Sequence, residues 1–362
     1  MSEITRQQVL HALGHVQEPD LQKDLVTLNM IRDIAIDGQK ISFSVVLTTP
    51  ACPLKDLIQN ACINAIKHFI SKDAEVEVNM TSNVSTQRQG AAVLPGVKNI
   101  IAVASGKGGV GKSTVASNLA LALAAEGAKV GLLDADIYGP SIPTLFGCTN
   151  QAPESIEENG RSIMVPIEKY GIKLLSIGFM VAPTQAVVWR GPMISSAMRQ
   201  FVNDVAWGEL DYLVIDLPPG TGDIHLTMAQ IVPVTGVVIV TTPQEIALAD
   251  ARKALGMFNI QGITLPILGV VENMAYFVPP DDESKKYYIF GQDGGKKLAQ
   301  ENNVAFLGEI PLVQSIREAG DEGVELTQKD APTAQAFKRF AELTAQQIAI
   351  INNTLANSAA AQ

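Results

Sequence analysis

The chain is poor in cysteine, aromatics and positive charge. Only Cys52, Cys62 and Cys148 occur among its 362 residues. Three scattered thiols cannot build a disulfide framework, so reduced thiols and a cytoplasmic location are expected. Aromatic residues make up 5% of the chain, so aliphatic side chains must fill the core. Lys and Arg number 27 against 37 Asp and Glu, a net charge of −10. Such a chain repels phosphate backbones, which argues against a nucleic-acid partner. No apolar run reaches the roughly 18 residues that span a bilayer, and the start, MSEITRQQVL, lacks the charged and apolar segments of a secretory leader. No membrane partner is expected. A hydrophobic content of 47% excludes a disordered chain.

The pattern divides the chain in two. Residues 1–80 read as a small α/β unit: a helix over Ile4–Leu13, strands Val26–Ile36 and Lys40–Leu47 joined at Asp37-Gly38, a helix Pro53–Ile70, and a strand closing at Met80. Residues 81–98 are small and polar, hold Gly90, Pro95 and Gly96, and read as a linker. From residue 99 to 350, short apolar runs alternate with helical stretches such as Thr114–Ala125 and Ile246–Met257. The runs are Ile100–Ala104, Val130–Asp134, Tyr212–Asp216, Val237–Thr241, Ile267–Val271 and Ala305–Ile310. Most do not alternate polar with apolar, as in strands buried on both faces, so the expected class is α/β with a mostly parallel sheet flanked by helices. Residues 351–362 are small and polar and read as a flexible tail.

The strongest motif is Gly106-Lys107-Gly108-Gly109-Val110-Gly111-Lys112-Ser113, followed by Thr114. It fits G-x-x-x-x-G-K-[ST], and it lies between an apolar strand and an apolar helix, the setting that string requires. Its glycines let backbone N–H groups turn toward phosphates at a helix N-terminus. Lys112 is placed to reach the β- and γ-phosphates of ATP, and the Ser113 hydroxyl to bind Mg²⁺. Asp136 follows the strand ending at Asp134, at the carboxyl edge where α/β sheets bind ligands. Tyr212–Asp216 is an apolar run ending in an acid, so Asp216 is the second candidate for Mg²⁺. Pro218–Asp223, with Gly220 and Gly222, reads as a switch loop that moves when the γ-phosphate leaves. Asn273 ends a later strand, and Pro311 lies after the last one. An Asn amide suits the adenine edge, and a proline ring can pack on the base.

The string GKGGVGKST, with Lys107 at its second position, resembles the deviant Walker A ATPases. That resemblance implies that Lys107 crosses a homodimer interface to the partner's nucleotide, and that Asp136 orients the attacking water. Further stretches, LLDADIYGPSIPTLFG, VVWRGPM, DYLVIDLPPGTGD, VVENMAYF and IPLVQSIREAGD, narrow the resemblance to the Mrp/ApbC-type iron–sulfur cluster carriers. Residues 1–80 are similar to the iron–sulfur-assembly domain often fused ahead of them. The resemblance implies slow ATP hydrolysis, a homodimer across the nucleotide, and cluster delivery to apo-proteins, with a scaffold as further partner.

One departure stands out. Many members carry Cys-x-x-Cys shortly after the ENM segment, whereas this chain reads Phe277-Val278-Pro279-Pro280-Asp281-Asp282-Glu283-Ser284. Oxygen ligands and prolines do not replace thiolates around a cluster. Cys52, just before a helix, is the candidate cluster ligand, since a helix N-terminus favours a thiolate. Cys62 lies roughly 15 Å along that helix, in its apolar stripe, and Cys148 reads as buried. A cluster-free adaptor and a positioning ATPase are the alternative functions. His225, beside the switch loop, and Arg190 are candidates for contact with nucleotide or partner.

Overall fold

The computed structural model describes residues 4–88, 93–158, 160–180, 191–260, 264–282, 284–324 and 332–360. They form two compact units, Met1–Gln87 with Ala349–Gln362, and Arg88–Ile348.

In the first unit, α1 (Arg6–Leu13) opens on a capping box: the Thr5 hydroxyl accepts from the Gln8 N–H, and the Gln8 side chain accepts from the Thr5 N–H. Strands β1 (Ile31–Asp37) and β2 (Lys40–Leu47) pair antiparallel, and β3 (Glu75–Ser82) lies parallel to β2. The crossover between β2 and β3 is α2 (Lys55–Phe69), which buries Ile58, Cys62, Ala65 and Ile66. The strand expected from Val26 begins only at Ile31. Upstream, one Asp24 carboxylate oxygen accepts from the Val26 and Thr27 N–H groups, which bends that stretch into a turn. The segment expected to be a linker is shorter at both ends, because β3 runs to Ser82 and the next strand starts at Val97.

The second unit is built on an eight-stranded sheet. Its strands are β4 (Val97–Ser105), β5 (Val130–Asp134), β6 (Ile167–Lys169), β7 (Ile172–Ser176), β8 (Leu210–Asp216), β9 (Gly236–Thr241), β10 (Ile267–Phe277) and β11 (Phe306–Leu312). Their order is β6-β7-β5-β8-β4-β9-β10-β11. Only the edge pair β6–β7 is antiparallel, so the α/β class with a mostly parallel sheet holds. The principal helices about it include α3 (Lys112–Ala125), α4 (Gly191–Asn203), α5 (Asp223–Ile231), α6 (Glu245–Phe258), α7 (Gly294–Glu301) and α8 (Gln314–Glu322). Central strands such as β4 and β9 are buried along nearly their whole length, as their unbroken apolar runs require.

Three local readings change. β10 extends to Phe277, so Asn273 lies within a strand rather than at its end. Pro311 also lies inside a strand, β11, not beyond it. A proline is tolerated there because β11 is an edge, and the register slips between the pairs Asn273–Ile310 and Phe277–Leu312. The expected flexible tail is helical as far as Ala360, as part of α9 (Pro332–Ala360). Its alanines favour the helix, and the Asn352 amide donates to the Ser85 carbonyl at 3.0 Å.

Candidate functional site

The parallel register assembles the site. Ser176 on β7 pairs with Asp134 on β5, Asp134 with Asp216 on β8, and Asp216 with Val103 on β4. Two buried acids therefore stand side by side near the carboxyl edge, level with Val103, two residues before β4 ends at Ser105. Leu217 N–H donates to Val103 O, Ala135 N–H to Asp216 O, and Gly220 N–H to Ser105 O, so the chain ends leaving three strands are laced together.

The loop Gly106–Gly111 has its shape for identifiable reasons. A side chain on Gly106 would collide with the Asp250 and Ala251 backbone of α6. Gly109 and Gly111 have φ of +85° and +80°, where a β-carbon is strained. Val110 between them is buried, while Gly108 and Gly109 face solvent. Gly111 caps α3 without a side-chain hydrogen bond, so the first N–H groups of α3 have no side-chain cap. With the helix dipole, that end favours an anion. Asn273 supports the loop from β10, its Nδ2 donating to the Val110 carbonyl at 2.8 Å.

Electrostatics concentrate on Lys112, which is buried. Its Nζ lies 2.5 Å from Asp216 Oδ1, 3.6 Å from Asp136 Oδ2 and 3.3 Å from Ser113 Oγ. Burial pushes the Asp216 carboxyl above its ordinary value, while the Lys112 charge and the Lys112 and Ser113 side chains pull it back down. Asp216 Oδ2 is buried and has no hydrogen-bond partner among the described residues. An orphaned carboxylate oxygen beside a serine hydroxyl fits a hard divalent cation such as Mg²⁺. Asp134, wholly buried, is pushed up to about 7, first by burial and then by the Asp216 charge. It accepts from Ser176 Oγ at 2.8 Å, Asp136 N at 3.1 Å and Ile142 N at 3.2 Å. Asp134 thus shapes the loop that carries Asp136, a role not read from the sequence. The available signal was the acid closing an apolar strand.

Of the other predicted residues, Lys107 is half-buried and Thr114 follows Ser113 in the first turn of α3. Pro311 reaches the same sheet edge as Asn273 through β11. His225 is buried in the first turn of α5. Arg190 lies outside the described residues. Cys52 belongs to the first unit, two residues ahead of the Leu54 cap of α2. Cys62 and Cys148 are buried, and burial pushes the Cys62 thiol up to about 12, which makes it inert. No three His, Cys, Asp or Glu side chains converge on a metal site among the described residues.

Glu272, next to Asn273, was also missed. It is buried, and its Oε2 accepts from the Gly295 N–H at the start of α7. Neighbours in a strand face opposite ways, so one strand holds the phosphate loop on one face and α7 on the other.

A strand–glycine loop–helix with a buried lysine and acids on the adjoining strand ends defines a P-loop nucleoside triphosphatase site. Comparison with known proteins narrows the class. Residues 96–346 match the family model described as NUBPL iron-transfer P-loop NTPase, and residues 6–79 match one described as iron-sulfur cluster assembly protein. An iron-sulfur cluster carrier protein of Synechocystis is 48% identical over 355 residues, covering 96% of this chain and 99% of that one. One from Escherichia coli is 41% identical over 350 residues, covering 96% and 93%. Among solved structures, a nucleotide-binding protein from Archaeoglobus fulgidus in complex with ADP is 43% identical, covers 64% of this chain and 88% of that one, and aligns with a TM-score of 0.55. The chain belongs to the Mrp/ApbC family of iron–sulfur cluster carrier P-loop NTPases.

Proposed function

We propose that the protein is an ATP-dependent carrier that delivers iron–sulfur clusters to apo-proteins in the cytoplasm, receiving them from a scaffold. The observation that carries the nucleotide half is Lys112, buried between Asp216 and Asp136 at the end of a glycine loop that opens a helix. Phosphate oxygens would draw Lys112 from Asp216, and the N–H groups of residues 106–114 would hold the rest of the anion. Ser113 and Asp216 would hold Mg²⁺, which when bound offsets phosphate charge. Asp136 orients the attacking water, and Lys107 of the partner subunit adds positive charge where the γ-phosphate leaves. Positioning without a strong base gives slow hydrolysis, suited to a switch between ATP and ADP forms. Asn273 and Pro311 border the base.

The dimer has independent support. Tyr138, Ile246, Tyr287 and Ile289 are large, apolar and exposed, and each follows the carboxyl end of a parallel strand. Exposed apolar groups on one edge favour a protein partner there. Gel filtration with Mg-ATP and with ADP tests it, and Lys112→Ala is expected to abolish Mg-dependent ATP affinity. Unchanged affinity in that variant sinks the nucleotide reading.

The cargo half rests on the relatives' names and on Cys52. The cysteine-free stretch Phe277–Ser284 favours a second reading, an ATP-dependent adaptor that carries no cluster. Anaerobic reconstitution with iron and sulfide separates the two. The carrier retains iron with a cluster absorbance that Cys52→Ser diminishes, whereas the adaptor retains none.

A further inference from the structure

Among the described residues beside the site, His225 is a buried titratable group that the nucleotide chemistry above does not use. It is 2% exposed and sits in the first turn of α5, directly after the switch loop. Its Nδ1 lies 3.3 Å from the Gly222 carbonyl oxygen. A carbonyl can only accept, so Nδ1 carries the proton and Nε2 presents a lone pair. Phe258 of α6 closes one side of the ring, edge-on at 6.2 Å between centroids. Nε2 is buried and has no hydrogen-bond partner among the described residues. Burial lowers the ring's affinity for a proton, the Gly222 and Pro218 backbone carbonyls raise it, and the charges of Lys112 and Asp136 act on it in opposite directions. A neutral imidazole thus stands directly after the switch loop with a buried ring nitrogen that has no hydrogen-bond partner among the described residues, and a buried acceptor left unsatisfied is costly.

We propose that His225 is a positioning residue for hydrolysis: through Nδ1 it fixes the switch loop at Gly222, and through Nε2 it accepts a hydrogen bond from a water that enters with the nucleotide. This rests on the ATPase reading above. It gives the water held by Asp136 a second fixed acceptor, and it links the switch loop's position to that water. No proton transfer to His225 is required, because the ring acts by orientation.

Two substitutions separate the nitrogens. Asparagine places an amide where Nδ1 stands and keeps the Gly222 bond without the outer acceptor. Glutamine reaches as far as Nε2 and restores an acceptor there. Full-length wild type, His225→Asn and His225→Gln are compared for steady-state ATP hydrolysis, ATP affinity and thermal unfolding. The expected result for His225→Asn is a fall in kcat of about tenfold with KM changed less than about twofold, as for loss of one transition-state hydrogen bond. His225→Gln recovers most of kcat even where it melts lower. The proposal is overturned if asparagine matches wild type while glutamine does not, because the Gly222 bond is then all that matters. It is equally overturned if both variants lose kcat and KM in proportion to their stability. Wild type that binds ATP but never hydrolyses it defeats the ATPase reading itself, a result distinct from either.

Discussion

Two glycines of the phosphate loop offer an internally controlled test. Gly109 and Gly111 share nearly the same backbone conformation, φ +85° and +80°. Alanine at either position must adopt a left-handed conformation that costs about 1–2 kcal/mol. Their surroundings differ. A β-carbon on Gly109 meets nothing within 4 Å, whereas one on Gly111 lands on the Asn273 side-chain nitrogen. That nitrogen holds the Val110 carbonyl at 2.8 Å. Displacing it forfeits the bond and strands buried polar atoms, a further cost of about 1–3 kcal/mol. Gly111→Ala should therefore destabilise the loop-bearing unit clearly more than Gly109→Ala. Both tryptophans, Trp189 and Trp207, lie in the segment of that unit, and Trp207 is buried, so urea unfolding followed by tryptophan fluorescence reads it selectively. In an Asn273→Ala background the methyl group has nothing to strike, and the added cost of Gly111→Ala should fall to that of Gly109→Ala. Equal costs in the parent chain, or a gap that survives removal of Asn273, would refute the reasoning.

Two further outcomes follow from buried carboxyls. Asp134 is pushed up to about 7 from 3.8, so between those values the folded chain keeps a proton that the unfolded chain gives up. Its contribution to stability is thus present at low pH and lost as pH rises through that window, by up to about 4 kcal/mol for a shift of about 3 units. Unfolding curves from pH 5 to pH 8 should fall more steeply for wild type than for Asp134→Asn, and parallel curves would contradict the assignment. Glu272 accepts from the Gly295 N–H, so Glu272→Ala should cost about 1–3 kcal/mol by leaving that donor unpaired, whereas Glu272→Gln keeps an acceptor and costs under about 1. Equal melting temperatures for the two variants would count against that bond.

The P-loop was legible because its glycines, lysine and serine act through local backbone geometry between an apolar strand and an apolar helix. The parallel strands were legible for a related reason: burial on both faces removes polar alternation. The edge pair β6–β7 escaped notice, being three and five residues long. Its turn, Tyr170-Gly171, has positive φ at both positions, and only the glycine advertised this. The antiparallel hairpin Glu154–Glu158 with Arg161–Val165 was also missed, although Asn159-Gly160 stood between its arms as a turn signal. Register between distant strands decided the rest. No local pattern places Ser176 against Asp134, or joins Gly295 to Glu272 and Val110 to Asn273, because the pairs are separated by 42, 23 and 163 residues in sequence.

The paired anchorage of β10 bears on how the cysteine-free stretch coexists with an intact nucleotide loop. The excursion after Phe277 is pinned where it departs, by the reciprocal backbone bonds of Phe277 and Tyr287, and where it returns, by Glu272 on Gly295. Between those pins it behaves as a cassette. Its chemistry can be rewritten, a thiol pair for a stretch of prolines and acids or the reverse, while Asn273 keeps its grip on Val110. Grafting a Cys-x-x-Cys into this slot is the engineering experiment the fold invites.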